Sequence, residues 1–380
     1  MNSTPSSPRN DSGALPPAGY SAPTVPPGPP ASPIIDPANV RRILVCQLRQ
    51  IGDVLLATPS LELLHRRFPG AEVHVLTERK CTPMLHGNPA VHTVWAIDKK
   101  ELGSFAREVA FYWRVARTGF DVVVDFQQLP RCRWVVAMSR AQVRLSYTPA
   151  WYNRWLFTHW VRPRDGYAAM AKASVLEPLG VRWNGERPRL YLSDAERDAA
   201  RGLLASLGLA EGQRLITVDP THRRVTRRWP AAHYGRLLSL AAARDPSLRF
   251  MPLFGPGEEN DVRAVVAACD CPEKVLMPDR MLSLREMAAC IDQAVLHVGN
   301  CSAPCHIAVA VGTPTFVIRG ATSRAWSFPA PEHFHMARGL DCQPCNRNEC
   351  ANPDQLACLV RLTPESVCQA MLDHLAAVSR

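Results

Sequence analysis

Lysine is scarce in this 380-residue chain: of its 44 basic residues, five are lysine and the rest arginine. An arginine bias that strong is as much a mark of genome composition as of function, so the formal net charge of +10 does not by itself define a nucleic-acid binder. Zinc-finger spacing, a basic heptad helix and alternating basic and aromatic residues along a strand pair are all missing, which sets specific nucleic-acid recognition aside. No apolar run approaches the roughly 18 residues that a bilayer crossing needs. The N-terminus has no basic start followed by an apolar block. A cytoplasmic protein, free or peripheral on a membrane face, is the expectation. The G-x-G-x-x-G dinucleotide fingerprint is absent as well. Cysteine is not lacking, but the 13 residues are odd in number and scattered, so thiols are expected rather than a disulfide framework.

With 47% hydrophobic residues the chain can bury a sizeable core, and its length suggests about two domains. Residues 1–38 are dense in proline, serine and glycine and read as a disordered leader outside the fold. Beyond it, apolar runs of strand length alternate with amphipathic stretches of helical length. RILVCQL (42–48) is followed by one helical stretch over 52–68, closed by Pro69-Gly70. AEVHVLT, VHTVWAI, a helix over 101–118, DVVVDFQ and AQVRLSY complete a first block. A second block follows a helical stretch near 193–208, with RLITVDP, LRFMPLFG, KVLMP (274–278), AVLHVG and PTFVIRG as strands. Consecutive Val, Ile and Leu imply strands buried on both faces, as in a parallel sheet covered by helices. Two doubly wound, Rossmann-like α/β domains facing a central cleft are therefore expected, over residues 39–190 and 191–362, with a C-terminal helix over 363–380 opened by Thr363-Pro364-Glu365.

Three strand-to-helix turns collect polar residues at the cleft. In QLRQIGDVLLATP, Gly52 permits a sharp turn and Asp53 stands at the strand's carboxyl end, either as a base for a substrate hydroxyl or as a helix cap. PTHRRVTRRWP (220–230) offers four arginines, including Arg227 and Arg228, together with Thr221; guanidinium forks above a helix opening suit a diphosphate, the alternative being a solvated basic loop. In FGPGEEND, Glu258 or Glu259 is placed to accept hydrogen bonds from ribose, or merely to favour a helix first turn. In HVGNCSAPCHIAVAVG, Asn300, Ser302 and His306 crowd the start of a helix that Ser302 is suited to cap. The aromatic run 147–167, with Trp151 and Arg154, forms either an acceptor or membrane side or an irregular packed segment. Cys342, Cys345, Cys350 and Cys358 have the spacing C-x2-C-x4-C-x7-C, open to zinc or to free thiols.

Taken in order, LRQIGDVLLATP, the RRWP loop, LFGPGEE, VGNCSAPCHIAVAVGTPTFVIRGAT and the cysteine segment before a TPE helix resemble the bacterial lipopolysaccharide heptosyltransferases of glycosyltransferase family nine, over about residues 41–378. The resemblance implies a GT-B fold and inverting, metal-independent transfer of heptose from ADP-heptose to a hydroxyl of the inner core, at the inner face of the inner membrane and with no cofactor. It makes Asp53 the general base, Arg227 the phosphate contact, Glu258 the ribose acid and His306 the histidine of the G-N-D-S-G-P-x-H segment. Arg49, Gly52, Trp151 and Arg154 then fall on the acceptor side. The chain departs from the pattern at Cys301 and Ala303, where the family usually has Asp and Gly. That leaves open another nucleotide-sugar donor, or a silent nucleotide or glycan binder.

Overall fold

A computed structural model describes residues 34–379, so the expected disorder of residues 1–33 lies outside the described residues. The last residues of the stretch that composition assigns to the leader are folded. Ile35 is buried, Ile34 packs beside it, and the Ile34 N–H donates to the Pro178 carbonyl at 3.0 Å.

Strands rich in β-branched residues build two sheets. The first contains β1 (Arg42–Cys46), β2 (Glu72–Glu78), β3 (Thr93–Ile97), β4 (Val122–Asp125), β5 (Val143–Tyr147) and β6 (His159–Val161) in the order β3-β2-β1-β4-β5-β6. The second contains β7 (Arg214–Asp219), β8 (Leu248–Pro252), β9 (Leu296–Gly299), β10 (Thr315–Ile318) and β11 (His333–Met336) in the order β11-β10-β9-β7-β8. Every pairing in both sheets is parallel. Strand order reverses between β1 and β4 in one sheet and between β7 and β9 in the other. In such sheets the loops leaving the strands diverge at the reversal and leave a crevice for a ligand.

The sheets share an apolar seam. Ile43 and Val45 of β1 and Leu61 belong to the same buried cluster as Met251 of β8, Ile291 and Ile307. Polar straps reinforce it: Arg285 donates to Glu196 at 2.7 Å, to the Tyr191 carbonyl at 2.6 Å and to the Pro83 carbonyl at 3.1 Å. The paired guanidinium holds the Glu196 carboxyl down at about 2. The helix Pro364–Val378 buries Val367, Met371 and Leu375 in the core of the second sheet.

Several elements differ from the sequence expectation. The single helix over 52–68 divides into Ile51–Leu55 and Thr58–Arg67, because Pro59 starts a new first turn and cannot continue the old one. The helix over 101–118 divides at Gly103, left-handed at φ +65°, into Lys99–Leu102 and Phe105–Ala116, the second opened by Ser104. KVLMP is not a strand: Val275 makes one isolated bridge to Phe250, between the turn Pro272–Lys274 and Pro278. β6 forms within the aromatic run as the edge of the first sheet, and β11 adds an edge to the second.

Candidate active site

The crevice of the first sheet is lined by the loops after its two switch-point strands. Arg49, Gln50 and Asp53 follow β1, Phe126, Gln127 and Leu129 follow β4, and Lys172 completes the lining of an open hollow of ≈ 470 Å³. Asp53 is the helix cap that its position allowed, and its carboxylate also has a second partner. One carboxylate oxygen accepts the Gln50 N–H at 3.3 Å in a capping box, and the other faces Lys172 Nζ at 3.4 Å. Its side chain stays 26% exposed, open to the hollow. Lys172 is buried, donates to Gln47 Oε1 at 2.8 Å and lies 5.7 Å from the centre of the Phe126 ring. Burial draws its pKa down, and the Asp53 carboxylate opposes that shift. Sequence reasoning missed Lys172. The available signal was a lysine inside the small-residue helix Ala168–Ser174 of a chain with so few lysines.

Gly52 lies inside the helix Ile51–Leu55, not in a sharp turn as expected. Its lack of a side chain serves a close approach: a Cβ there would sit 2.7 Å from His306 Cδ2. The contact brings the Asp53 turn against the helix Ala303–Val311 of the other sheet. His306 is buried, and burial lowers its pKa to about 4 against the pull of Asp53, so its ring is neutral at pH 7. Arg49 lines the hollow. Trp151 and Arg154 are not among its lining residues; they lie in the turn Trp151–Leu156, with Trp151 79% exposed and Arg154 stacked 5.8 Å from the Trp160 ring.

At the second crevice, Ser302 occupies the N-cap position but does not cap. Its hydroxyl donates instead to Asp219 at the end of β7, leaving the first turn of the nine-residue helix Ala303–Val311 without a side-chain cap. Asp219 is buried, and desolvation raises its pKa to about 7, with Ser302 opposing. Asn300 is spent within the protein, accepting the Trp229 N–H at 3.1 Å and donating to the Asp219 and Thr221 carbonyls at 3.3 and 3.2 Å. It is a strap for the arginine loop. Trp229 anchors the same loop from below, its indole N–H shared by the Leu359 and Leu362 carbonyls at 3.1 and 3.0 Å.

The two arginines of the RRWP loop diverge. Arg228 pairs outward with Asp261 at 2.7 Å, whereas Arg227 is half-buried with its Nε lacking any acceptor. Of the two glutamates, Glu258 faces the strand ends. It accepts from Thr221 Oγ1 and the Gly255 N–H, both at 2.8 Å, while Glu259 turns to Arg263 on its own helix.

The four clustered cysteines do not close on a common centre. Cys342, Cys345, Cys350 and Cys358 line one cavity of ≈ 470 Å³, but no three of their sulfurs lie within 4.8 Å of one another, and all 13 cysteines are unpaired. Among the described residues, Glu72, His74 and His92 do cluster that closely. There the Trp95 indole, which can only donate, gives its N–H to His74 Nδ1 at 3.2 Å. The ring proton must then sit on Nε2, which faces Glu72 at 3.3 Å, so neither ring nitrogen keeps a free lone pair for a metal.

The family model described as glycosyltransferase family 9 (heptosyltransferase) matches residues 109–355. Lipopolysaccharide heptosyltransferase 3 of Escherichia coli is 28% identical over 293 residues, spanning 74% of this chain and 85% of that protein. Among solved structures, the glycosyl transferase family 9 protein of Veillonella parvula superposes with a TM-score of 0.77 at 21% identity, covering 89% of this chain and 98% of that one. The E. coli ADP-heptose lps heptosyltransferase II superposes at 0.72 and 16% identity, covering 89% and 100%. Two parallel sheets whose switch-point loops pack together where Gly52 meets His306 define the GT-B class. The chain belongs to glycosyltransferase family 9, the heptosyltransferases.

Proposed function

We propose that this protein is an inverting glycosyltransferase that moves a heptose from ADP-heptose to a sugar hydroxyl of the lipopolysaccharide inner core. The names of its relatives suggest donor and acceptor. The observation that carries the reading is the Gly52–His306 contact, which sets the open carboxylate of Asp53 beside the uncapped helix start of the other sheet. A carboxylate on one lip and cationic groups on the other is what displacement at an anomeric carbon requires.

In this scheme Glu258 accepts hydrogen bonds from the ribose, and the free N–H groups of the Ala303–Val311 helix meet the diphosphate. As the sugar–phosphate bond breaks, negative charge grows on the leaving group, and Arg227 stabilises it more in the transition state than in the ground state. Asp53 takes the acceptor proton from the opposite side while Lys172 fixes the orientation of its carboxylate. Neutral His306 packs against Gly52 and keeps the junction closed. The guanidinium and helix groups supply the positive charge, so the scheme uses no metal.

No helix among the described residues is long and apolar enough to cross a membrane. Exposed Phe105, Trp113, Trp134, Trp151 and Trp155, the last 71% exposed, support work against the inner face of the inner membrane, where aromatic rings suit the headgroup level. The test is a donor screen with purified protein and deacylated core acceptors, read by product mass. ADP-heptose should add one heptose. Addition only from another nucleotide sugar would replace the donor, and no addition from any donor would overturn the transferase reading.

A further inference from the structure

Three side chains, those of Cys301, Arg319 and Arg227, come near one another beyond the carboxyl ends of the second sheet. Val317 of β10 pairs with Gly299 of β9 as the last register pair of these strands, and Arg319 and Cys301 each follow two residues further on. The segment after β10 is pressed on the arginine loop: the Ala321 N–H donates to the Thr226 carbonyl at 2.9 Å, and a Cβ on Gly320 would fall 2.4 Å from that oxygen. Arg319 and Arg227 therefore flank a single backbone contact. Arg319 is 6% exposed, yet its Nε and Nη1 have no acceptor; nor has the Nε of Arg227. Cys301 is buried among them, and burial pushes its thiol up to about 11 although both arginines pull the other way. It is thus neutral and offers no counter-charge. Two guanidinium groups without an acceptor for these buried N–H bonds are costly, because nothing replaces the hydrogen bonds that water gave.

We propose that Arg319 and Arg227 form the walls of an oxyanion site, beside Cys301, that takes the diphosphate of the nucleotide sugar. The site rests on the donor reading above but names a residue that reading did not use. The bound oxyanion supplies the acceptors the buried N–H groups lack, and a planar fork on each side matches phosphate oxygens in a way that lysine cannot. Because the site is unsatisfied when empty, the protein is less stable for having it, and this separates the proposal from a structural role for Arg319.

Binding of inorganic pyrophosphate, inorganic phosphate and ADP is measured by calorimetry on the full chain, beside Tm. Arg319→Met should weaken pyrophosphate and ADP about tenfold or more while raising Tm, since it removes a buried unpaired charge. The exposed Arg324→Met should leave affinity within about twofold of the parent, as only diffuse charge is lost. Pyrophosphate and ADP affinities unchanged in Arg319→Met, a lower Tm in that variant, or an equal loss in Arg324→Met would each overturn the proposal. Dependence on Arg319 for phosphate alone would mark a free-phosphate site and overturn the donor assignment. Pyrophosphate carries neither adenine nor sugar, so failure of heptose transfer with these affinities intact would sink the proposed function and leave the pocket standing.

Discussion

Asp53 and Lys172 form a unit whose parts have different debts to their surroundings. Asp53 stays open to the hollow, while Lys172 is held under it by Gln47 and the Phe126 ring. Replacing Lys172 with Met keeps the length and removes the cation, so the carboxylate loses its orienting partner. The expected result is a fall in kcat of about tenfold or more with the Kd for ADP unchanged, since the lysine touches only the base side. Arg227→Ala should instead weaken ADP binding and slow chemistry together, because its charge meets the diphosphate in both states. Unchanged ADP affinity would remove Arg227 from the donor site. Asp53, Glu258 and Arg227 were legible in sequence because each follows a strand end beside a glycine or Trp-Pro signal. Lys172, Asp219 and Arg319 were not, because what distinguishes them is burial and the partners they have or lack, and those are set by segments far away in the chain.

At the scale of elements, the strand-to-helix turns do the positioning. Trp229 ties the arginine loop to the segment before the last helix through two carbonyls, so Trp229→Phe removes a buried donor from both, although the Leu359 carbonyl keeps the Leu362 N–H. It should cost about 1–3 kcal/mol in chemical denaturation. Gly52→Ala tests the junction of the two sheets directly. Its Cβ would meet the His306 ring at 2.7 Å, and moving a buried ring or the helix beneath it should cost about 1–3 kcal/mol. Turnover should drop with it, because Asp53 is the next residue; full activity and stability would show that the helices can part at no cost. The parallel sheets were readable from runs of Val, Ile and Leu, which announce burial on both faces. Element ends were less so. KVLMP has a strand's composition but is trapped between two prolines, and HWV becomes β6 only because β5 offers it an edge.

For the molecule as a whole, burial of neutral histidine sets the response to acid. His222 and His306 are held at about 4, and His297, His333 and His335 at about 3, chiefly by desolvation. Between their ordinary value near 6.5 and these lowered values the unfolded chain binds protons that the folded chain refuses, so stability falls as pH falls through that window. Asp219 and Asp125, raised to about 7 and about 6 by burial, act in the opposite sense, since the folded state binds their protons first. Five groups outweigh two, and Tm should drop by more than about 5 °C from pH 7 to pH 5. A flat or rising Tm over that range would mean that these rings are not held neutral in the fold. The account of function depends on a shared crevice in which one carboxylate does chemistry that the nucleotide site does not need. Its most direct measurement is kcat with ADP-heptose beside the ADP dissociation constant for Asp53→Asn. Turnover reduced by about a hundredfold or more with ADP binding within about twofold of the parent is the predicted result. Near-normal turnover, or turnover and ADP affinity lost in equal measure, would contradict it.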